Sequence, residues 1–163
     1  MNAFRIIIQA VFYLPGTFLH ELAHFTAALL LGRPEGFSVL PRASGNSIVF
    51  GKTAARVRFR VLGAFIAAAP LVWWVVLFAL LVYLRVVQVG PGMRKISFAV
   101  PPERVLVSVP RDVFYLWLSL QLFWAGRLSL QDIETLAAGL LSPSGLLLAL
   151  GIALFYTYMT YVV

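Results

Sequence analysis

His20-Glu21-Leu22-Ala23-His24 lies inside an apolar run that closes at Leu29-Leu30-Leu31, and the reading of the whole chain turns on it. These five residues hold both histidines of the protein. On a helix, positions i and i+4 stand one above the other, so His20 and His24 present two imidazole nitrogens to one point. Glu21 is turned about 100° from His20, beside that point, where its carboxylate can take a proton from water. The bland alternative is three polar residues inside a packed bundle. The neighbours Phe18, Leu19, Phe25 and Leu29 to Leu31 argue against it. An ionisable trio in so apolar a setting is costly unless it is paired or metal-bound. The H-E-x-x-H spacing therefore reads as a zinc site, with His20 and His24 as ligands and Glu21 as general base.

The rest of the composition agrees with an apolar setting. The chain has 163 residues, of which 61% are hydrophobic and 12% charged, and its mean hydropathy is +0.93. That is the composition of a multi-pass integral membrane protein, with the cell membrane as the expected location. The net charge of +7 comes mainly from arginines between the apolar runs, without the aromatic interleaving of a nucleic-acid binder. Anionic lipid of the bilayer is the expected partner of those charges, and no nucleic acid is expected. Cysteine is absent, so there are no disulfides and no thiolate ligands. Arg5 and the apolar residues after it look somewhat like a signal sequence. No small-residue cleavage site follows, and the segment is read as retained.

The expected fold is a single, mainly α integral-membrane domain over residues 1–163, with about four transmembrane or re-entrant helices and a small interfacial β-hairpin. The first apolar run, Ala3 to Leu31, contains Pro15-Gly16, where a long helix kinks or a second helix begins; Gly32 and Pro34 end it. Hairpin character is expected over about 35–53, where Phe37-Ser38-Val39-Leu40 and Ser47-Ile48-Val49-Phe50 flank the turn-rich Ala43-Ser44-Gly45-Asn46. This region is either an interfacial loop or an exposed strand edge to which an extended peptide adds, with Val39, Ile48 and Val49 as contact residues. Val61 to Leu84 is the clearest span, with Pro70 as a kink. A basic connector follows over about 85–111, with a short strand expected at Arg104 to Val109. Val113 to Ala125 is a further apolar run, and a mixed segment extends from Arg127 to Gly145. A last helix, Leu146 to Val163, carries Tyr156, Tyr158 and Tyr161.

A catalytic zinc takes three protein ligands and keeps one open position. With no third histidine and no cysteine, the third ligand must be a carboxylate other than Glu21: Glu35, Glu103, Asp112, Asp132 or Glu134. Glu35 and Glu103 sit in loops beside proline and basic residues. Asp112 opens an apolar run, where a helix N-terminus accounts for a carboxylate. Asp132 and Glu134 lie in the half-apolar segment that can return to the end of the motif helix. Asp132 is favoured, with Glu134 and Asp112 as alternatives.

The run Pro15-Gly16-Thr17-Phe18-Leu19-His20-Glu21-Leu22-Ala23-His24, closing on Leu30-Leu31-Gly32, resembles the site-2 protease family of intramembrane zinc metalloproteases. The resemblance implies zinc on His20, His24 and a downstream aspartate near the start of a later helix, with Glu21 as catalytic base. It also implies a membrane-associated sheet after the motif helix, and a substrate that is a membrane protein or peptide cut in or near its transmembrane segment. The family's later motif leads from asparagine-proline to Leu-Asp-Gly. This chain has Ser129-Leu130-Gln131-Asp132-Ile133 instead. Two other functions fit the residues less well. One is a membrane zinc peptidase of the prenyl-protein-processing type, in which Glu134 replaces Asp132. The other is a catalytically inactive relative that binds membrane proteins or handles metal.

Overall fold

The computed structural model describes residues 3–38, 42–44, 47–49, 52–90, 96–98 and 109–161. It is mostly helical. Helix α1 runs unbroken from Ala3 to Leu31 with Pro15 inside it, so the motif shares one helix with the residues before the proline. At 1.5 Å per residue its 29 residues make a rod about 43 Å long. Gly32 closes α1 by donating its N–H to the Ala28 carbonyl at 2.9 Å. A Cβ on Gly32 would stand 2.7 Å from the Arg56 carbonyl oxygen, so glycine is what lets the next strands start this close to the helix.

Those strands form a wider hairpin than the sequence suggested. Strand β1 (Arg33–Ser38) pairs antiparallel with β4 (Lys52–Arg56), and β2 (Arg42–Ser44) with β3 (Ser47–Val49). Phe37 lies opposite Thr53, and the register shifts between Pro34 and Gly36, leaving Glu35 as the extra residue. Ile48 pairs with Ala43 and Val49 with Arg42, while Val39 lies outside the described residues. The connector also differs from expectation. It carries a second hairpin, β5 (Val87–Val89) against β6 (Ile96–Phe98). Of the strand expected at Arg104 to Val109, residues 104–108 lie outside the described residues and Val109 begins a helix.

Helix α2 (Arg60–Ala68) passes through a 3-10 turn, Ala69–Leu71, into α3 (Val72–Tyr83). The turn follows from Pro70, which has no N–H to continue the α-helical ladder. Helices α4 (Val109–Ala125), α5 (Leu130–Leu140) and α6 (Pro143–Tyr161) complete the chain. Two helical stretches are long and apolar enough to cross a membrane, Arg60–Tyr83 and Pro143–Thr160. Helix α3 buries none of its residues, and Leu146, Leu150, Ile152, Leu154 and Phe155 of α6 are all exposed.

The described residues pack as two units, 1–20 with 70–127 and 21–69 with 128–163; the division falls inside the continuous helix α1. In the first unit, the indole of Trp73 donates to the Leu19 carbonyl at 2.8 Å and that of Trp74 to the Phe123 carbonyl at 3.1 Å. The side-chain carbonyl of buried Gln121 accepts the Gly16 N–H at 2.9 Å. In the second unit α2 packs closely on α5. A Cβ on Gly139 would lie 2.7 Å from both the Ala64 Cβ and the Arg60 carbonyl oxygen.

That contact sets where α5 stands. Gly139→Ala must push the helices apart, and overpacking of this kind costs about 1–3 kcal/mol, or roughly 3–10 °C in thermal midpoint. Gly151→Ala on α6 has nothing within 4 Å of the added Cβ and should leave the midpoint unchanged or slightly raised. Thermal scans of the two variants in one detergent make the comparison.

Candidate metal centre

The two histidines are oriented by backbone carbonyls that have spare acceptor capacity. In a regular helix the Ile66 carbonyl would receive the N–H of residue 70, but residue 70 is proline. The Ile66 oxygen instead takes the Ala69 N–H and, at 2.8 Å, the Nδ1–H of His24. The Nδ1–H of His20 donates to the Ala125 carbonyl at 3.0 Å. Ala125 is the last residue of α4, where terminal carbonyls have no intrahelical partner. A carbonyl can only accept, so in each neutral ring the hydrogen sits on Nδ1 and the lone pair on Nε2.

Asp132 meets His24 from the start of α5. Its Oδ1 is 3.2 Å from His24 Nε2. Its Oδ2 accepts from the Ser129 N–H at 2.8 Å and the Ser129 hydroxyl at 2.6 Å, while the Ser129 Oγ accepts the Asp132 N–H at 3.1 Å. This reciprocal pair is a capping box, so the bonds that start α5 also aim the carboxylate. With the His24 hydrogen committed to Ile66, Nε2 and Oδ1 are two acceptors face to face. Such a pair repels unless a proton or a metal ion lies between them. Ligand atoms of a tetrahedral zinc with bonds of ~2.0–2.1 Å stand about 3.3 Å apart, close to the separation found. His20 is one turn before His24 on the same helix, and the ligand atoms of His20, His24 and Asp132 all lie within 4.8 Å of one another. Two imidazoles and a carboxylate are an ordinary donor set for zinc, and the three residues fit it.

Glu21 is buried, with only 6% of its surface exposed. Its Oε2 accepts from the Thr53 hydroxyl at 2.6 Å, which ties the proposed base to strand β4. Opposite Thr53 in the hairpin, Phe37 packs its ring against Phe25 of α1, with centroids 5.3 Å apart. The hairpin is thus fastened to the motif helix by one polar and one aromatic contact.

The other carboxylates are elsewhere. Glu134 is exposed on α5. Asp112 is exposed in the first turn of α4, with Oδ1 3.7 Å from the Arg111 Nε. Glu35 faces Arg56 across 3.9 Å, and Glu103 lies outside the described residues. Thr53 and Ser129 are site residues that the sequence reading did not single out. For Ser129 the signal was present, since Ser129-x-x-Asp132 ahead of an apolar helix is a capping-box pattern. Thr53 had no local signal, because only the hairpin register brings it to Glu21. Among protein-family models, curated proteins and solved structures, none matches this chain.

Two substitutions test the supports of this site. Ser129→Ala removes the two hydroxyl bonds that help aim Asp132 but keeps the one from the backbone N–H, and should lower the affinity of the candidate centre for added zinc by up to about 10-fold, measured by competition with a chelator. Thr53→Val leaves a buried carboxylate short of a donor and should cost about 1–3 kcal/mol of stability. Thr53→Ser, which keeps the hydroxyl, should recover most of that loss in the same thermal assay.

Proposed function

We propose that this protein is a multi-pass, membrane-embedded zinc metallopeptidase that hydrolyses a peptide bond in or near a transmembrane segment of its substrate. His20, His24 and Asp132 hold the ion. The observation that carries the proposal is the facing of His24 Nε2 and Asp132 Oδ1 at 3.2 Å, beside the buried Glu21 carboxylate. A zinc ion held there supplies Lewis acidity, polarising a carbonyl and lowering the pKa of water toward ~7.

The chain's own residues account for the proton transfers. Glu21 receives the proton of the attacking water on a carboxylate oxygen, and later delivers it to the nitrogen of the departing amine. Thr53 fixes the carboxylate through Oε2. The carbonyls of Ile66 and Ala125 hold the imidazoles with Nε2 turned to the ligand side. The exposed apolar surfaces of α3 and α6 support a bilayer location, since such patches in water would drive association. Peptide bonds within an intact helix are shielded, so the substrate is cut where it is extended. A two-stranded hairpin offers edges for that extended segment, with Ile48 and Val49 on one of its strands.

Purified in detergent, the protein should carry about one equivalent of zinc, and Asp132→Asn should lose it because a neutral amide is a poor ligand for a dication. Glu134→Gln should keep it. Glu21→Gln should also retain the metal but release no fragment from tagged single-span proteins co-reconstituted in liposomes. An active Glu21→Gln variant would refute the role given to Glu21. Full zinc occupancy in His20→Ala/His24→Ala would refute the site itself.

A further inference from the structure

Where α1 gives way to the first hairpin there is a cleft of about 480 Å³, lined by Leu30, Leu31 and Val57 and by Arg33, Arg56 and Arg58. The arginines are crowded. Arg33 and Arg56 are directly opposite one another in the β1–β4 register, a placement that is destabilising for like charges. Arg58 follows two residues after Arg56, and all three are exposed. The only counter-charge among the described residues is Glu35, whose carboxylate is 3.9 Å from the Arg56 Nε, with both side chains more than half exposed. An exposed pair at that distance offsets little. No carboxylate pairs with Arg33 or Arg58 among the described residues. The Arg58 guanidinium carbon lies over the Phe59 ring, 5.5 Å from its centre.

We propose that this cleft binds the phosphate of an anionic phospholipid. Guanidinium groups bind phosphate oxygens with two parallel N–H bonds, and three arginines lining one cleft provide the charge. The apolar part of the cleft indicates where the phosphate comes from. Leu30 of the lining is 80% exposed, with Leu31 and Val57 half-buried beside it. A ledge of that kind meets an acyl chain that enters with the headgroup, whereas a soluble phosphate compound would gain nothing from it. The bound lipid would also neutralise the Arg33–Arg56 repulsion at the root of the hairpin whose strand β4 carries Thr53. The proposal rests on the membrane location given above and is independent of the peptidase chemistry.

The test is the thermal midpoint of the full chain in a neutral detergent, with added dioleoyl phosphatidylglycerol, dioleoyl phosphatidylcholine or inorganic phosphate. Saturating phosphatidylglycerol should raise the midpoint by roughly 5–10 °C, and the other two additives should not. Arg33→Gln, Arg56→Gln and Arg58→Gln should each remove at least half of that shift, while Arg111→Gln and Arg127→Gln keep it. In phosphatidylcholine the Arg33→Gln variant should be no less stable than the native chain, because it relieves a repulsion. A shift that is equal with phosphatidylcholine, or that survives in the triple variant, overturns the site. An equal shift with inorganic phosphate overturns the lipid assignment. A Arg33→Gln protein already several degrees less stable in phosphatidylcholine shows the arginine to be a structural brace, which also overturns it. Protein that fractionates with membranes yet ignores phosphatidylglycerol overturns this cleft alone, whereas protein absent from membranes overturns the location.

Discussion

The carbonyl oxygen of Ile66 has a lone pair to spare because Pro70 cannot donate to it, and the orientation of His24 follows from that deficit. The same logic holds His20, through a carbonyl at the C-terminal end of α4. Each imidazole has a backbone carbonyl as the partner of its Nδ1. Both use backbone carbonyls with acceptor capacity that the helical ladder leaves open. An imidazole so tethered keeps one tautomer and one ring plane, which metal ligation requires. The interruption in the Arg60–Tyr83 stretch is therefore part of the site as well as a bend in a helix.

The carboxylates are tied down as firmly. Asp132 spends one oxygen on Ser129 and turns the other to His24, so its position is set by the same bonds that begin α5. The tight approach of Gly139 to Ala64 then fixes α5 against α2, the helix that supplies the Ile66 carbonyl. His24 and Asp132 are thus linked twice, once directly and once through the α2–α5 contact. Glu21 is held separately, by Thr53. In the proposed role of general base, Glu21 has to keep its place in both charge states, and a short hydroxyl bond to a paired strand serves that need.

Much of this arrangement can be read from the residues. The i, i+4 spacing of His20 and His24 needs only helix geometry, and α1 is one helix through both. Elimination leads to Asp132 because the chain is poor in alternatives, and its carboxylate stands beside His24. The close of α1 at Gly32 and the break at Pro70 follow from local backbone chemistry. What could not be read depends on pairing between distant residues. Thr53 reaches Glu21 only because Phe37 lies opposite it, and a one-residue slip would turn Thr53 to the other face. The β5–β6 hairpin was obscured by prolines and arginines that made its region read as a plain connector. The carbonyl partners of the histidines carry no sequence signal at all, since any residue supplies a carbonyl. Only Pro70, four positions after Ile66, hints at one of them.

Several polar groups are buried among the described residues while many large apolar side chains are exposed. The buried positions include Thr17, Glu21, His24, Gln121 and Ser142 together with several alanines, while the large apolar side chains on α3 and α6 face outward. Small residues such as Ala64 and Gly139 let helices approach closely, a packing that suits the proposed bilayer location, where lipid removes the hydrophobic drive for helix pairing. The proposed bilayer location also accounts for why carbonyls orient the imidazoles. Water is absent from hydrocarbon, so a carbonyl with spare acceptor capacity takes any further donor from within the protein. An imidazole needs an acceptor for Nδ1–H in the same setting. The carbonyl supplies that acceptor, and the lone pair of Nε2 is left facing the proposed ligand side. The apolar surroundings that make His20, Glu21 and His24 costly in isolation are thus what make their positions well defined.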